Sequence, residues 1–94
     1  MRREERVKIV ISGKVQGVFF RKSLQNVASK LKLRGWVHNL PDGNVGALAE
    51  GERAALEKLI EWCHTGPPGA FVVDVACKWS CALSEYQGFR IVHT

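Results

Sequence analysis

The sequence predicts an α+β sandwich, with one antiparallel sheet and two helices on one of its faces. Apolar residues alternate along four separate stretches, with a short fifth near the end. Two intervening stretches repeat apolar residues at helical spacing. Only turn chemistry separates the second and third strand-like stretches, so these two form a hairpin. The order is β-α-β-β-α-β plus a short terminal strand, which suits helices packed on one sheet.

Val7, Ile9 and Ile11 alternate with Lys8, Val10 and Ser12 as the first strand, and Val10 implies partial burial on its second face. Residues 1–6, mixed in charge, read as a loosely ordered extension. Gly13-Lys14-Val15-Gln16-Gly17-Val18-Phe19-Phe20-Arg21 then leads into a helix over 21–32. Phe20, Leu24, Val27, Ala28 and Leu31 form its apolar stripe. Gly35 marks a break, and Trp36, Val37 and His38 read as the second strand. Leu40-Pro41-Asp42-Gly43-Asn44 carries turn chemistry, since Asp-Gly supplies a positive φ and proline fixes its own. Val45, Ala47 and Ala49 define the third strand.

Gly51 opens the second helix, where Leu56, Leu59, Ile60 and Cys63 stand at i, i+3, i+4 and i+7. Arg53 and Glu57 can pair on its outer face. Gly66-Pro67-Pro68-Gly69 ends it. Phe71, Val73, Val75, Cys77 and Trp79 alternate as the fourth strand. Residues 80–88 are less regular, and Phe89 with Ile91 forms the last strand. No linker, repeat or low-complexity tract interrupts the chain, so 1–94 reads as one domain.

At 94 residues, with 46% hydrophobic and 24% charged content, the chain can fill one core without metal or disulfide. No apolar run is long enough to span a bilayer. Residues 7–11 are too short for a signal-peptide core and Ser12-Gly13-Lys14 stops them, so no membrane association and a cytoplasmic location are expected. Three cysteines, an odd number, argue against a disulfide framework. Cys77 and Cys81 would lie roughly 13 Å apart along a strand, too far to share a zinc that holds sulfur at ~2.3 Å. Adjacent Cys63 and His64 would point in different directions on a helix. The cysteines are therefore expected to be structural. The net charge of +5 favours anionic small molecules through long-range attraction. The basic residues are scattered, and no aromatic-basic RNA-binding signature accompanies them, so no nucleic-acid partner is expected.

The Gly13–Arg21 stretch is where chemistry is expected. A glycine-containing turn between strand and helix directs backbone N–H groups into a small space, and the helix N-terminus adds partial positive charge. An arginine at the junction adds a fork suited to phosphate. Together these make a candidate oxyanion cradle. The loop is neither a Walker A loop nor a dinucleotide fingerprint. By itself it reads equally as a tight turn beside a surface arginine.

Val15-Gln16-Gly17-Val18-Phe19-Phe20-Arg21 resembles the acylphosphatase signature, and so does Gly35-Trp36-Val37-His38-Asn39 followed by Asp42-Gly43 and Val45. Glu50-Gly51, Trp62, Gly66-Pro67, Phe89 and Ile91 extend the resemblance over about 7–91. The resemblance implies a ferredoxin-like βαββαβ sandwich and hydrolysis of acyl phosphates to a carboxylate and inorganic phosphate. It implies that Arg21 binds phosphate and that Asn39 positions the attacking water. The loop of Val15, Gln16, Gly17, Val18, Phe19 and Phe20 would supply backbone donors to the phosphoryl oxygens. A carboxylate leaving group, with a conjugate-acid pKa of roughly 4, departs without a general acid. N–H donors and one guanidinium can stabilise the phosphoryl charge. No metal or cofactor is expected, and a monomer is.

Some positions depart from the family's pattern. Lys32 stands where glycine is frequent, Leu24 and Leu40 where threonine is frequent, and Gly46 where glutamate is common. These departures bear on supporting hydrogen bonds. Other polar residues have plainer readings. The Gln16 side chain is not needed if only its N–H binds, and Lys14 reads as a surface lysine. His38 reads as structural or exposed, His64 and His93 as solvated, and Asp42 as part of the turn. Trp36, Trp62 and Trp79 read as core. Two other functions suit the same sandwich: a carbamoyl-phosphate-handling domain of a larger maturation protein, and a non-catalytic anion or RNA-binding module. No paired zinc motifs of the larger protein appear in the sequence.

Overall fold

Apolar alternation and helical spacing resolve into seven elements in the computed structural model, which describes residues 4–93. They are β1 (Glu4–Lys14), α1 (Phe20–Lys30), β2 (Arg34–Asn39), β3 (Val45–Glu52), α2 (Arg53–Thr65), β4 (Phe71–Cys81) and β5 (Phe89–Ile91). The sheet order is β4-β1-β3-β2-β5. Val7, Ile9 and Ile11 of β1, Val37 of β2, and Val45, Ala47 and Ala49 of β3 are fully buried. Against them pack Phe20, Leu24 and Ala28 of α1 and Leu56, Leu59 and Cys63 of α2. This is the ferredoxin-like α+β sandwich, and Val10 is half-buried on the second face as its position implies.

The four long strands pair antiparallel as expected; the direction of the short fifth strand refines that reading, and one expectation is corrected. The sheet is mixed, because β5 pairs parallel to β2 while the other pairings are antiparallel. β4 and β5 occupy opposite edges. The chain reverses once between them, so β5 runs with β2. The expected loose extension over 1–6 is wrong for residues 4–6. Glu4 stands opposite Glu52 and Arg6 opposite Glu50 in the β1–β3 ladder. Ion pairs hold this end: Arg34 to Glu4 at 2.6 Å and Arg53 to Glu5 at 3.1 Å. Residues 1–3 lie outside the described residues.

Helix α1 ends at Lys30, two residues before the expected boundary. Leu33 N–H donates to Ala28 O at 2.9 Å and Lys32 N–H to Ser29 O at 3.0 Å, the two bonds of a Schellman motif. That motif needs a left-handed residue, and Lys32 supplies it at φ +60°. A glycine would take this conformation without the steric cost of a Cβ. On α2, Arg53 pairs with Glu57 at 3.4 Å, as their spacing predicts, and its guanidinium also covers the Trp79 ring at 3.6 Å.

Glu50 is the buried carboxylate of β3. It accepts from Arg6 Nε at 2.7 Å, Leu83 N–H at 2.8 Å and Ser84 N–H at 3.1 Å. Arg6 also reaches Glu85 at 2.8 Å and lies over the Tyr86 ring. One carboxylate thus ties two central strands to the segment that leads into β5. Burial pushes its pKa up, but the bonds from Leu83, Arg6 and Ser84 outweigh burial and hold it below the ordinary 4.5.

Two outcomes follow for stability. Lys32→Gly is expected to raise unfolding free energy by about 1 kcal/mol, measured by chemical denaturation. Glu50→Gln is expected to lower it by about 3 kcal/mol, because Arg6 loses its buried partner. The stabilisation from Glu50 is complete above the unfolded carboxyl's 4.5 and is lost as pH falls through the lower folded value. The Tm gap between wild type and Glu50→Gln should therefore narrow below about pH 4.

Candidate phosphate-binding pocket

β1 and β2 are both antiparallel to β3, so they run parallel to each other. Their C-terminal ends consequently lie at the same end of the sheet. The loop leaving β1 and Asn39 at the end of β2 meet there, and parallel β5 brings its own C-terminal end to them. Between them lies a pocket of about 340 Å³. Of the residues expected at the site, Val15, Gly17, Phe19, Phe20, Arg21 and Asn39 line it, while Gln16 and Val18 do not. Lys22, Ile91 and His93 complete the wall.

Gly17 takes φ +75° with open space around it, so backbone conformation rather than crowding calls for glycine there. Val15 and Phe20 are buried and anchor the loop from below, with Phe20 packed on Trp62 at 5.4 Å between ring centroids. Phe19, left-handed at φ 59°, is the N-cap of α1. No side chain caps this helix, and its first turn holds no acidic residue. Its first bond to a carbonyl runs from Ser23 N–H to Phe19 O at 3.0 Å. First-turn N–H groups of an uncapped helix are donors for an anion, and the macrodipole favours negative charge beside them.

Arg21, in that first turn, is half-buried. Its Nη1 lies 3.4 Å from His93 Nδ1. Guanidinium has no acceptor, so the arginine is the donor in this contact. His93 is exposed, as its sequence reading expects, and approaches Arg21 from the solvent side. Asn39 contributes a buried side-chain oxygen, Oδ1, with no hydrogen-bond partner among the described residues. A buried carbonyl oxygen left unpaired is destabilising by about 1–3 kcal/mol, and such groups concentrate where a site needs an acceptor.

The Gln16 side chain, expected to be dispensable, joins the two halves of the site. Its Nε2 donates to Leu40 O at 2.9 Å and to Asn44 O at 2.8 Å. These carbonyls flank the turn that follows Asn39. The turn is closed by Leu40 N–H to Asn44 O at 2.8 Å and by Asn44 N–H to Asp42 Oδ1 at 3.0 Å. A glutamine two residues after a strand carries no local sign of such a role, because its acceptors lie 24 and 28 residues away. Two family departures also meet here: a Cβ on Gly46 would stand 3.3 Å from both the His38 ring and the Leu40 side chain. Leu40 thus fills space that a larger residue at 46 would need. Leu24 is a buried core residue away from the pocket lining.

Elsewhere, Trp62 and Trp79 pack against the core as expected. Trp36 does not: it stands outside the core cluster, edge-on to His38 at 4.7 Å. Its neighbour Val37 takes the inward position on β2. Among the described residues, no group of three His, Cys, Asp or Glu is arranged to hold a metal ion. The three cysteines are free thiols. Burial, followed by nearby Cys77, pushes the Cys63 thiol up to about 12, so it stays protonated.

Known proteins resemble this chain in both sequence and fold. The acylphosphatase family model matches residues 7–91. An acylphosphatase of Pyrobaculum arsenaticum is 51% identical over 90 residues, covering 95% of each chain. The structure of an acylphosphatase from Coxiella burnetii superposes with a TM-score of 0.90 at 42% identity, over 96% of this chain and 94% of that one. Full-length HypF, in a phosphate- and nucleotide-bound form, matches at TM-score 0.88 and 31% identity, over 98% of this chain but 12% of HypF.

Loss of the bridge between loop and turn should be measurable. Gln16→Ala is expected to lower unfolding free energy by about 2 kcal/mol, for two hydrogen bonds. Gln16→Glu should cost more, since a carboxylate cannot donate to either carbonyl. Urea denaturation compares the two.

Proposed function

The chain belongs to the acylphosphatase family and is an acyl-phosphate hydrolase, and from that premise we propose how its residues divide the work. The loop of residues 15–20 and the first turn of α1 hold the phosphoryl oxygens through backbone N–H groups. Arg21 grips the same oxygens through its planar fork. The Asn39 side-chain amide holds a water by hydrogen bonding and aims it at phosphorus. The water oxygen forms a bond to phosphorus as the bond to the acyl oxygen breaks in line. The carboxylate leaves with the electron pair, and the water's proton passes to the phosphate product or solvent.

The observation that carries this reading is the convergence of Arg21, Asn39 and the uncapped start of α1 on one pocket, with Asn39 Oδ1 left without a hydrogen-bond partner among the described residues. An amide orients water without giving up a proton. A carboxylate leaves unaided because its conjugate acid has a pKa of roughly 4. The reaction therefore makes no demand on a general acid, a metal or a cofactor. Positive charge is supplied by Arg21, Lys22 and the helix terminus.

The partners in this reading are a small acyl phosphate and inorganic phosphate, met by a monomer in the cytoplasm. No nucleic-acid partner belongs to this reading: β1 and β3 carry no aromatic side chain on which bases could stack. No helix among the described residues is long and apolar enough to cross a membrane.

Two variants separate binding from water positioning. Asn39→Ala should lower kcat about a hundredfold or more while inhibition by inorganic phosphate changes little. Arg21→Lys should weaken phosphate inhibition and lower kcat together, because lysine keeps the charge but not the fork. EDTA should leave the wild-type rate unchanged. Normal turnover in folded Asn39→Ala would remove asparagine from the mechanism.

A further inference from the structure

Phe19 is held at two disadvantages. It is a bulky residue in the left-handed region, at φ 59° and ψ 26°, where glycine or asparagine is the usual occupant. The residue is also 83% exposed, the highest value among the exposed large apolar residues described. Neither feature helps the fold: Phe20 and Val15 beside it already anchor the loop. Strain and exposed aromatic surface that coincide at a pocket wall point to ligand rather than to folding.

The direction in which the acyl group leaves follows from burial. Asn39 is half-buried on the pocket lining, whereas Phe19 is open to solvent at the rim of the same pocket. In-line displacement puts the attacking water and the leaving oxygen on opposite sides of phosphorus. Water held at the half-buried Asn39 side chain thus sends the acyl group outward, past the rim. We propose that Phe19 is a specificity-determining residue whose exposed ring receives the acyl group, favouring acyl phosphates with an aromatic or extended apolar acyl part. This rests on the role of Asn39 proposed above. A phenyl acyl group can stack offset or edge-on against the Phe19 ring, and an acetyl group cannot. The ring thus discriminates among acyl groups without touching the phosphoryl site.

The test compares kcat/KM for benzoyl phosphate and acetyl phosphate, both measured on one preparation of the full chain, so that the folded fraction cancels in the ratio. Wild type should prefer benzoyl phosphate. Phe19→Ala should reduce that preference about tenfold, as expected for loss of an aromatic contact with its buried area. Phe19→Gly, which also relieves the backbone, should lose the preference equally while raising Tm. Phe19→Tyr should retain it. If Phe19→Ala lowers both substrates in equal proportion, Phe19 only shapes the loop and the proposal is overturned while the hydrolase reading stands. A wild type that hydrolyses neither compound would overturn both readings.

Discussion

Everything at the pocket depends on β3 pairing antiparallel with both β1 and β2. That single arrangement makes β1 and β2 run the same way, although the chain between them contains a helix. Two segments distant in sequence, the loop after β1 and the end of β2, are thereby delivered to one end of the sheet. The hydrophobic core holds the arrangement, because a one-residue slip of β3 would turn Val45, Ala47 and Ala49 away from the helices. Gln16 then closes the remaining distance with two hydrogen bonds from the loop to the carbonyls around the turn.

The third wall is built differently. β5 has only three residues and pairs along one side, with β2. Its position is secured by contacts outside its own ladder. Gln25 Nε2 of α1 donates to Phe89 O at 2.9 Å, and Gly35 N–H donates to Gly88 O at 3.0 Å. The segment before it is tied down at Glu50 through Leu83 and Ser84. A carboxylate in the centre of the sheet therefore helps determine where Ile91 and His93 stand, at the opposite end of β5 from its bonds. Because Glu50 is paired and hydrogen-bonded, its burial organises the structure, whereas an unpaired charge there would oppose folding.

Electrostatics at the pocket has local and global parts. The local part is the uncapped start of α1 together with Arg21 and Lys22. The global part is a net charge of +5, which attracts anions from a distance but is too diffuse to choose one. In the proposed reading, selectivity for a phosphoryl group comes from N–H groups and a fork at fixed geometry. The neutral Asn39 amide at the same wall adds an acceptor without cancelling that positive field.

By itself the sequence determined the elements and their inward faces, because period 2 and period 3.6 are local properties of a chain. Ile9, Leu24 and Leu59 declare their burial through their neighbours' spacing, and the turn at Asp42-Gly43 declares itself through its residue types. Two linked motifs singled out Arg21 and Asn39, and the fold brings both to one pocket. Lys32 was legible as a position suited to glycine, and its positive φ agrees. Only the tertiary structure decided that β5 runs parallel to β2, that strand pairing reaches back to Glu4, that Gln16 clamps the turn, and that His93 approaches Arg21. Each of these depends on groups far apart along the chain: 24 and 28 residues for Gln16, 72 for His93 and Arg21, 44 for Arg6 and Glu50. Such contacts leave no periodicity in either partner's neighbourhood. They exist only once the core has set the strands in register, and a hydrogen bond between side chain and distant backbone can then be satisfied by geometry that no short segment encodes.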